Sequence, residues 1–299
     1  MDGDYRLFAR IVESGSLSAA GRAMGLSPAM ISKRLARLEA RLGTTLVTRT
    51  TRRLALTEAG ERFHADVQAI LAAVEDAEAR ASGHDGQVAG PLRVSAPTSF
   101  GRLHVAPFLT TFLEAHPRLT MELNLSDDFT DLLGDRTDLA IRITTEVGAG
   151  LAARRLATSR RILCAAPAYL SRHPAPADID ALPDHHMLAA VGQLPWRLTR
   201  RDGRSSTVDG RSRVRTNSSE VVRELAIAGS GIALRSLWDV NSDLAAGRLV
   251  RVLPEWEGAA DVGIYAVTPR RPWPLAAAVA FSDFLAALYA MPPWEHHGS

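Results

Sequence analysis

The stretch that most constrains this chain covers residues 16–39, which has the pattern of two short helices joined by a tight turn. Ser16 can cap a first helix, and Gly25 stands where a helix-ending glycine is expected. Ser27 and Pro28 can begin a second helix, because the serine hydroxyl caps it and proline lacks only an N–H that the first helical position does not use. The spacing predicts a helix-turn-helix.

The second helix has an apolar face and a basic face. Apolar residues recur on one side at helical spacing, at Ile31, Leu35, Leu38 and Leu42. The other side carries Ala29, Lys33 and Arg37. An ordinary helical hairpin with a solvated basic face would show the same pattern, so the flanking sequence must distinguish the two.

Downstream, residues 46–49 and 53–57 are short segments around a basic tip, which predicts a small hairpin, or wing. Arginine at such a tip can enter a minor groove or hold phosphates. Residues 1–60 hold ten basic side chains against five acidic ones, an excess of five, whereas the whole chain is only +2, so the remainder is about −3. This local basic excess indicates a DNA-binding module attached to a second unit.

We expect the second helix to lie in a major groove. Pro28, Ala29 and Met30 suit thymine methyl groups, and Lys33, the only lysine among 35 basic residues, can reach guanine acceptors or a phosphate. The residues expected to contact DNA are Ser16, Ser18, Ser27, Pro28, Ala29, Met30, Ser32, Lys33, Arg37, Arg49, Thr50, Arg52 and Arg53.

A long helix is predicted to follow the wing, with Thr57 as its cap and Glu58 and Glu61 in its first turn. Its apolar residues recur at heptad intervals, at Phe63, Val67, Ile70, Val74, Ala77 and Ala81. A helix of this length reaches about 36 Å, beyond a sixty-residue domain. We therefore expect a dimer seam, with packing of the helix onto its own domain as the alternative.

Turn-forming residues at 82–91 mark a domain boundary, after which strands and helices alternate. Strands are predicted at 92–96, 120–125, 139–143, 161–165, 214–216, 232–234, 249–253 and 262–267. Helices are predicted at 101–116, 130–135, 219–228 and 275–290. This alternation is typical of α/β architecture with parallel sheets, here two of them.

The chain resembles the LysR-type transcriptional regulators, and more narrowly their CrgA-like branch. The N-terminal resemblance rests on Phe8, Val12, Leu46 and residues 15–20, 26–32, 38–39, 42–43, 49–52 and 56–60, with Val47 and Met24 replacing the usual Phe and Leu. The C-terminal resemblance rests on residues 90–97, 138–143, 164–170, 229–233, 243–244 and 247–250. Both departures keep an apolar residue of packable size.

The resemblance implies an α+β multidomain chain. It comprises a winged helix-turn-helix (1–58), a linker helix and hinge (59–90), and an effector-binding α/β domain (91–299) like a periplasmic binding protein. Subdomain I would cover about 91–164 and 267–291 and subdomain II about 165–266, with crossings near Cys164 and Ala266. Such a regulator binds an interrupted palindromic operator as a dimer or tetramer. Its expected partners are double-stranded DNA, a small organic effector, other copies of itself and, as a further candidate, RNA polymerase.

Two stretches could hold an effector anion, since each puts polar groups at a helix start after a strand. These are Thr98 and Ser99, where the resemblance places the effector, and Asn217 and Ser218. Simple helix capping is the alternative. Arg142 and Arg235 are candidates for a bidentate carboxylate contact, and Phe100, Phe129, Trp196 and Trp238 for apolar walls, although each alone is as readily structural.

Several functions are not supported by the sequence. No apolar run is long enough to span a membrane, and the N-terminus lacks a secretory signal, so a cytoplasmic location is expected. We expect no metal at His185 and His186, which lack a third ligand, no cofactor and no enzymatic activity, because no nucleophile motif or phosphate loop is present. Cys164, in an apolar run, is expected to be a buried strand residue rather than a redox-sensing thiol. A solute-binding protein without DNA function would leave the basic N-terminal helices unexplained.

Overall fold

The computed structural model describes residues 2–49, 54–81, 88–127, 137–270 and 274–295. The chain divides into two compact units, Met1–Gly90 and Pro91–Ser299. Within the described residues, no helix combines the length and the hydropathy that crossing a membrane requires.

The first unit is a winged helix-turn-helix followed by a long helix. Its elements are α1 (Asp2–Ser14), α2 (Leu17–Met24), α3 (Pro28–Leu42), β1 (Val47–Arg49), β2 (Leu54–Leu56) and α4 (Glu58–Ala81). The predicted caps are confirmed: Ser16 Oγ accepts the Ala19 N–H at 3.1 Å, Ser27 Oγ accepts the Met30 N–H at 3.3 Å, and Gly25 ends α2 with φ +66°.

Apolar side chains of α1 and α3 form the core of the first unit. Leu7, Phe8 and Ile11 are fully buried with Ile31 and Leu35. An ion pair joins the same two helices, with Arg34 Nη2 2.7 Å from Asp4 Oδ1. The hydrogen bond from this guanidinium holds the pKa of the Asp4 carboxyl below its usual value.

Glu39 and Gly60 position the start of the wing against the helices. Glu39 Oε1 accepts the backbone N–H groups of Leu46 at 2.8 Å and Val47 at 3.1 Å, so the end of α3 positions the start of β1. Thr57 Oγ1 accepts the Gly60 N–H at 2.9 Å, which confirms the predicted cap of α4. Gly60 is required at this point, because a Cβ there would lie 1.9 Å from the Leu46 carbonyl oxygen.

The first positions of the expected dimer seam on α4 pack within their own unit, as in the alternative that the sequence left open. Val67 is 0% exposed within a single chain, and the Phe63 ring packs 5.4 Å from Phe8, because α1 presents an apolar side to α4. Ile70, by contrast, is 45% exposed, and Val74 is half-buried. The side chains of Ala77 and Ala81 lie outside the described part of the chain.

The second unit contains two sheets with flanking helices. Its strands are β3 (Ala89–Ala96), β4 (Arg118–Leu125), β5 (Leu139–Thr144), β6 (Leu151–Thr158), β7 (Arg161–Ala165), β8 (Met187–Leu188), β9 (Trp196–Arg200), β10 (Ser205–Val208), β11 (Ile232–Ser236), β12 (Val250–Arg251), β13 (Trp256–Gly258) and β14 (Gly263–Pro269). Its α-helices are α5 (Thr98–Phe100), α6 (Leu109–Ala115), α7 (Pro167–Leu170), α8 (Ser219–Ile227), α9 (Leu237–Ala245) and α10 (Ala276–Leu288). A π-helical turn (Gly101–Val105) and a 3-10 turn (Ala106–Phe108) join α5 to α6, and a further 3-10 turn covers Ile179–Asp184.

The sheets are mixed, which corrects the expectation of parallel sheets. The first has the order β4-β3-β5-β14-β6, and the second β10-β9-β13-β7-β11-β8 with β12 beside β7. The pairs β3–β5 and β11–β8 are parallel, whereas β14 runs antiparallel to both β5 and β6, and β7 antiparallel to β11 and β13. After the second sheet the chain returns to the first sheet as β14, which lies between the earlier strands β5 and β6. The alternation of strands and helices along the sequence does not reveal this position.

The crossings between the sheets lie earlier in the chain than predicted. Cys164 lies inside β7 of the second sheet, and Ala266 inside β14 of the first. The chain crosses instead at Ser159 and around Val262, where the Ser159 N–H donates to the Val262 carbonyl at 2.9 Å. The second sheet's segment therefore begins after Ser159 and ends before Gly263.

Other elements also differ from the prediction. Residues 214–216 form no strand, and the predicted helix at 130–135 lies outside the described residues. The strands β6, β8, β9, β10 and β13 and the helix α9 were not predicted. β6 is an edge strand whose central residues are exposed, so it lacks the alternation from which a strand is predicted.

Candidate DNA-binding surface and effector cavity

The start of α3 presents a continuous exposed surface. Pro28, Ala29 and Lys33 are exposed, and Met30 keeps 51% of its surface accessible although it is a large apolar residue. Ile31 anchors the opposite side of the helix in the core. The helix is therefore held by one face while the residues predicted to contact DNA occupy the other.

The remaining residues of the predicted DNA surface are placed unequally. Ser16, Ser18, Ser27 and Arg37 are exposed, whereas Ser32 is half-buried. The side chain of Arg49, and Thr50, Arg52 and Arg53 as whole residues, lie outside the described part. Arg34, which shares α3 with Lys33, is paired with Asp4 and so contributes to the core contact instead of the exposed face. These DNA contacts stay predictions.

A cavity of about 390 Å³ lies between the two sheets of the second unit. Its polar lining from the first sheet and the adjoining loops includes Ser99, Asp127 and Thr144. Its polar lining from the second sheet and its helices includes Arg161, Gln193, Ser219, Arg235 and Ser236. The cavity is thus lined by groups from both halves of the unit.

Asp127 joins the two halves at the edge of this cavity. Its Oδ1 accepts the Thr98 N–H at 2.9 Å, and its Oδ2 accepts the Ser219 N–H at 2.9 Å. These are the two helix starts at which an effector anion was expected. A carboxylate of the chain itself accepts both N–H groups, and binding of an effector anion at these helix starts stays a prediction.

Of the two predicted serines, Ser99 and Ser218, only Ser99 lines the cavity. Ser99 lines it with 2% of its surface exposed, and its Oγ has no hydrogen-bond partner among the described residues. Ser218 is a simple cap, since its Oγ accepts the Val221 N–H at 3.4 Å, and Asn217 is exposed. Ser219 lines the cavity in place of Ser218, and its Oγ accepts a hydrogen bond from Gln193 Nε2 at 2.8 Å.

The two predicted arginines differ in position. Arg235 lines the cavity but is held by Asp239, whose Oδ2 accepts from Arg235 Nε at 2.9 Å and from Nη2 at 2.5 Å. Arg142 lies in β5 next to Ile143, which lines the cavity. Arg142 is not among the residues that line the cavity, although its neighbours Ile143 and Thr144 are.

Among the predicted aromatic walls, Trp238 alone of those described lines the cavity, and its Nε1 donates to Ser159 Oγ at 3.1 Å. Phe100 is fully buried behind that wall, edge-on to Trp238 at 5.2 Å. Trp196 is buried in the core of the second sheet, so its assignment as a wall is wrong. Phe129 lies outside the described residues.

Sequence reasoning missed Arg161 and Asp127. Arg161 begins β7, and its Nε is buried without a partner among the described residues. Burial and the nearby Arg235 lower the pKa of its guanidinium. Asp127 follows β4, and polar residues after strand ends are the usual ligand contacts of open sheets, so that signal was available in the sequence.

Two further predicted residues have structural contacts. Cys164 is buried in β7, with Sγ 3.6 Å from the Ala233 carbonyl oxygen, and burial raises the pKa of its thiol to about 12. His185 Nδ1 lies 3.1 Å from the Tyr169 hydroxyl. Within the described ranges, no group of three or more His, Cys, Asp or Glu side chains is placed to hold a metal ion.

Two family models match the chain, one in each half. Residues 3–61 match the bacterial regulatory helix-turn-helix protein of the lysR family, and residues 85–290 match the LysR substrate binding domain. The boundary between the two matches lies near the division of the structure at Gly90.

Characterised relatives align over most of the chain. The HTH-type transcriptional regulator DmlR of Escherichia coli (strain K12) is 37% identical over 87% of this chain and 85% of that protein. The HTH-type transcriptional regulator PtxR of Pseudomonas aeruginosa is 35% identical over 88% of this chain and 84% of that protein.

Solved structures are similar over nearly the whole chain. The full-length Vibrio cholerae virulence activator AphB is similar with a TM-score of 0.60 and 30% identity, over 96% of this chain and 99% of that one. CrgA, a LysR-type transcriptional regulator from Neisseria meningitidis, is similar with a TM-score of 0.61 and 28% identity, over 96% of this chain and 98% of that one.

Proposed function

Because this chain belongs to the LysR family of bacterial transcriptional regulators, we propose that it binds an interrupted palindromic operator as a dimer or tetramer and responds to a small carboxylate effector. It is a DNA-binding regulator with an effector-binding domain rather than an enzyme, as its relatives are. The operator, the oligomer and the effector class are the proposed parts.

The observation that carries the DNA part is the exposed N-terminal half of α3. A recognition helix reads base edges with its first residues while its other side packs on the domain. Met30 and Ala29 are apolar and exposed at that position, which suits thymine methyl groups. Lys33 lies one turn later and can donate to a hydrogen-bond acceptor of the DNA.

The oligomer follows from the size of one module and from α4. One helix-turn-helix reads one half-site, so a palindrome requires two copies. On α4, Val67 is buried in its own unit, but Ile70 exposes 45% of an apolar side chain, which is the part of the helix left for a second copy. Pairing of effector domains into a tetramer, and contact with RNA polymerase, stay predictions.

The effector part rests on the cavity between the sheets. It is lined by both halves of the second unit, and it contains the buried Ser99 hydroxyl and the guanidinium of Arg161. A small organic acid in this position would contact both halves at once. Such a ligand regulates only if it binds one arrangement of the regulator more tightly than another.

A gel shift with the DNA upstream of the gene tests the operator assignment. Lys33→Ala should weaken binding, and Met30→Ala should change the preference among operator variants. Arg62→Ala is the matched control, because this exposed arginine on α4 pairs with Glu58 and is not among the residues predicted to contact DNA. If Lys33→Ala binds as tightly as Arg62→Ala, the recognition surface is assigned wrongly.

Light scattering tests the oligomer. Ile70→Asp places a charge on the exposed apolar position of α4 and should produce smaller species while the far-UV circular dichroism of the first unit is retained. An unchanged mass for this folded variant would exclude Ile70 from the interface.

A further inference from the structure

We propose that Arg161 is the residue that binds the carboxylate of the effector, and that Asp127 keeps this anion away from the two helix starts. This inference rests on the proposed effector function and names the residues that carry out recognition within the cavity. Neither residue was singled out by the sequence.

Asp127 excludes one position for the anion. Both of its carboxylate oxygens are engaged, one by the Thr98 N–H and one by the Ser219 N–H, each at 2.9 Å. A second carboxylate at these donors would have to displace Asp127 and would be repelled by it at short range. The anion is therefore expected in another part of the cavity.

Arg235 excludes a second position. Arg235 donates two hydrogen bonds to Asp239 Oδ2, from Nε at 2.9 Å and from Nη2 at 2.5 Å. The Asp239 side chain is fully buried. A buried pair of this kind is already neutral, and separating it would leave Asp239 without a partner. Arg235 therefore shapes the cavity without offering a net charge to a ligand.

Arg161 is the remaining cation in the cavity lining. It makes no ion pair with any described residue, and its Nε is buried without an acceptor. Burial lowers the pKa of its guanidinium, and the charge of Arg235 lowers this pKa further, whereas Asp261 raises it. A planar guanidinium that lines a cavity in this state matches a carboxylate, which it can bind through two parallel hydrogen bonds.

Ser99 supplies a second, independent feature of the site. Its Oγ is buried and unpartnered within the described part of the chain, and it lines the same cavity as Arg161. A hydroxyl in this position can donate to the anion that Arg161 attracts. The side-chain amide of Gln193 uses one of its two N–H groups on Ser219 Oγ, whereas the Ser99 hydroxyl has no described partner.

The neighbouring arginine shows what a structural role would look like. Arg160 donates to both carboxylate oxygens of Glu257, from Nε at 3.1 Å and from Nη2 at 2.6 Å. Arg161 instead lies against the backbone of Gly258, where a Cβ would come within 3.0 Å of Arg161 Nε. Gly258 thus leaves room for the guanidinium, and none of the described residues forms an ion pair with it, which is typical of a residue kept for a ligand at a cost in stability.

Calorimetry on the full-length protein tests the proposal, with succinate and benzoate as probes and succinamide and benzamide as uncharged controls. Arg161→Met, which keeps the apolar stem, should weaken binding of the acid by about 10- to 100-fold, the loss expected for a charge-assisted contact. Arg160→Met is the matched control and should leave binding within about twofold. Ser99→Ala should weaken it by a smaller factor, and Asp127→Asn should leave it unchanged or tighter.

Thermal unfolding without ligand gives a readout that does not require an effector. Arg161→Met should raise the unfolding temperature of the second unit by about 2–4 °C, because it removes a charge whose Nε is buried and which forms no ion pair with a described residue, whereas Arg160→Met should lower it. An acid that binds Arg161→Met as tightly as the parent overturns this inference and leaves the effector proposal standing. If neither acid binds the parent and Arg161→Met is destabilised like Arg160→Met, Arg161 is structural and the carboxylate effector is rejected with it, while the gel shift still decides the DNA function.

Discussion

Replacing Asp127 with alanine tests how the two halves of the effector domain are held together. The carboxylate accepts one N–H from each half, at Thr98 and at Ser219, both at 2.9 Å. A hydrogen bond to a charged group contributes about 1.5–3 kcal/mol when buried. Because Asp127 is half-buried and water can reach the vacated N–H groups, we take the lower end for each of the two bonds and expect a loss of about 3 kcal/mol.

Tryptophan fluorescence during urea unfolding measures this loss selectively. All five tryptophans of the chain lie beyond residue 91, so their emission reports on the second unit and not on the DNA-binding unit. Hydrogen exchange should show faster exchange at the Thr98 and Ser219 amides in Asp127→Ala, since these amides lose their acceptor.

Asp127→Asn serves as the isosteric comparison. Its side chain keeps one acceptor oxygen but turns a donor toward the other N–H, so it should lose about half as much stability as Asp127→Ala. If Asp127→Ala unfolds within about 0.5 kcal/mol of the parent and both amides stay protected, Asp127 does not connect the halves and the reasoning fails.

Three further changes follow from burial. Val67→Ala should lower the thermal stability of the first unit by about 1–3 kcal/mol, whereas Ile70→Ala should change it by less than about 0.5 kcal/mol, as followed by circular dichroism. Burial raises the pKa of the Cys164 thiol to about 12, so at pH 8 a thiol reagent should label it only after the protein unfolds. Burial lowers the pKa of His104 below its ordinary value of 6.5, so the folded state binds the proton less well than the unfolded chain. The stability of the second unit should therefore fall as the pH drops below about 6.5 toward the folded pKa. His104→Gln should reduce this dependence of stability on pH, as measured by urea unfolding. An identical pH dependence in the variant would assign the effect to another group.

The sequence by itself determined the local features of this protein. Ser16, Ser27 and Thr57 cap the helices that their positions predicted, and Gly25 ends α2 in the left-handed conformation. The same reasoning gave the length of α4, Glu58–Ala81, and the exposed basic side of α3. These features depend on residues within about four positions of each other, since caps and helical faces are set over one turn.

Only the tertiary structure decided which polar groups meet. Asp127 accepts from an N–H that is 92 residues away, and nothing near it in sequence indicates that partner. The same limit applies to the predicted dimer seam, because a heptad pattern does not show whether Val67 faces α1 of its own chain or a second copy. For the same reason the sequence does not show that Ser219 lines the cavity in place of Ser218, or that Asp239 holds Arg235. Pairing and burial arise from segments brought together by folding, and a buried charge acts according to whether that folding supplies its counter-charge.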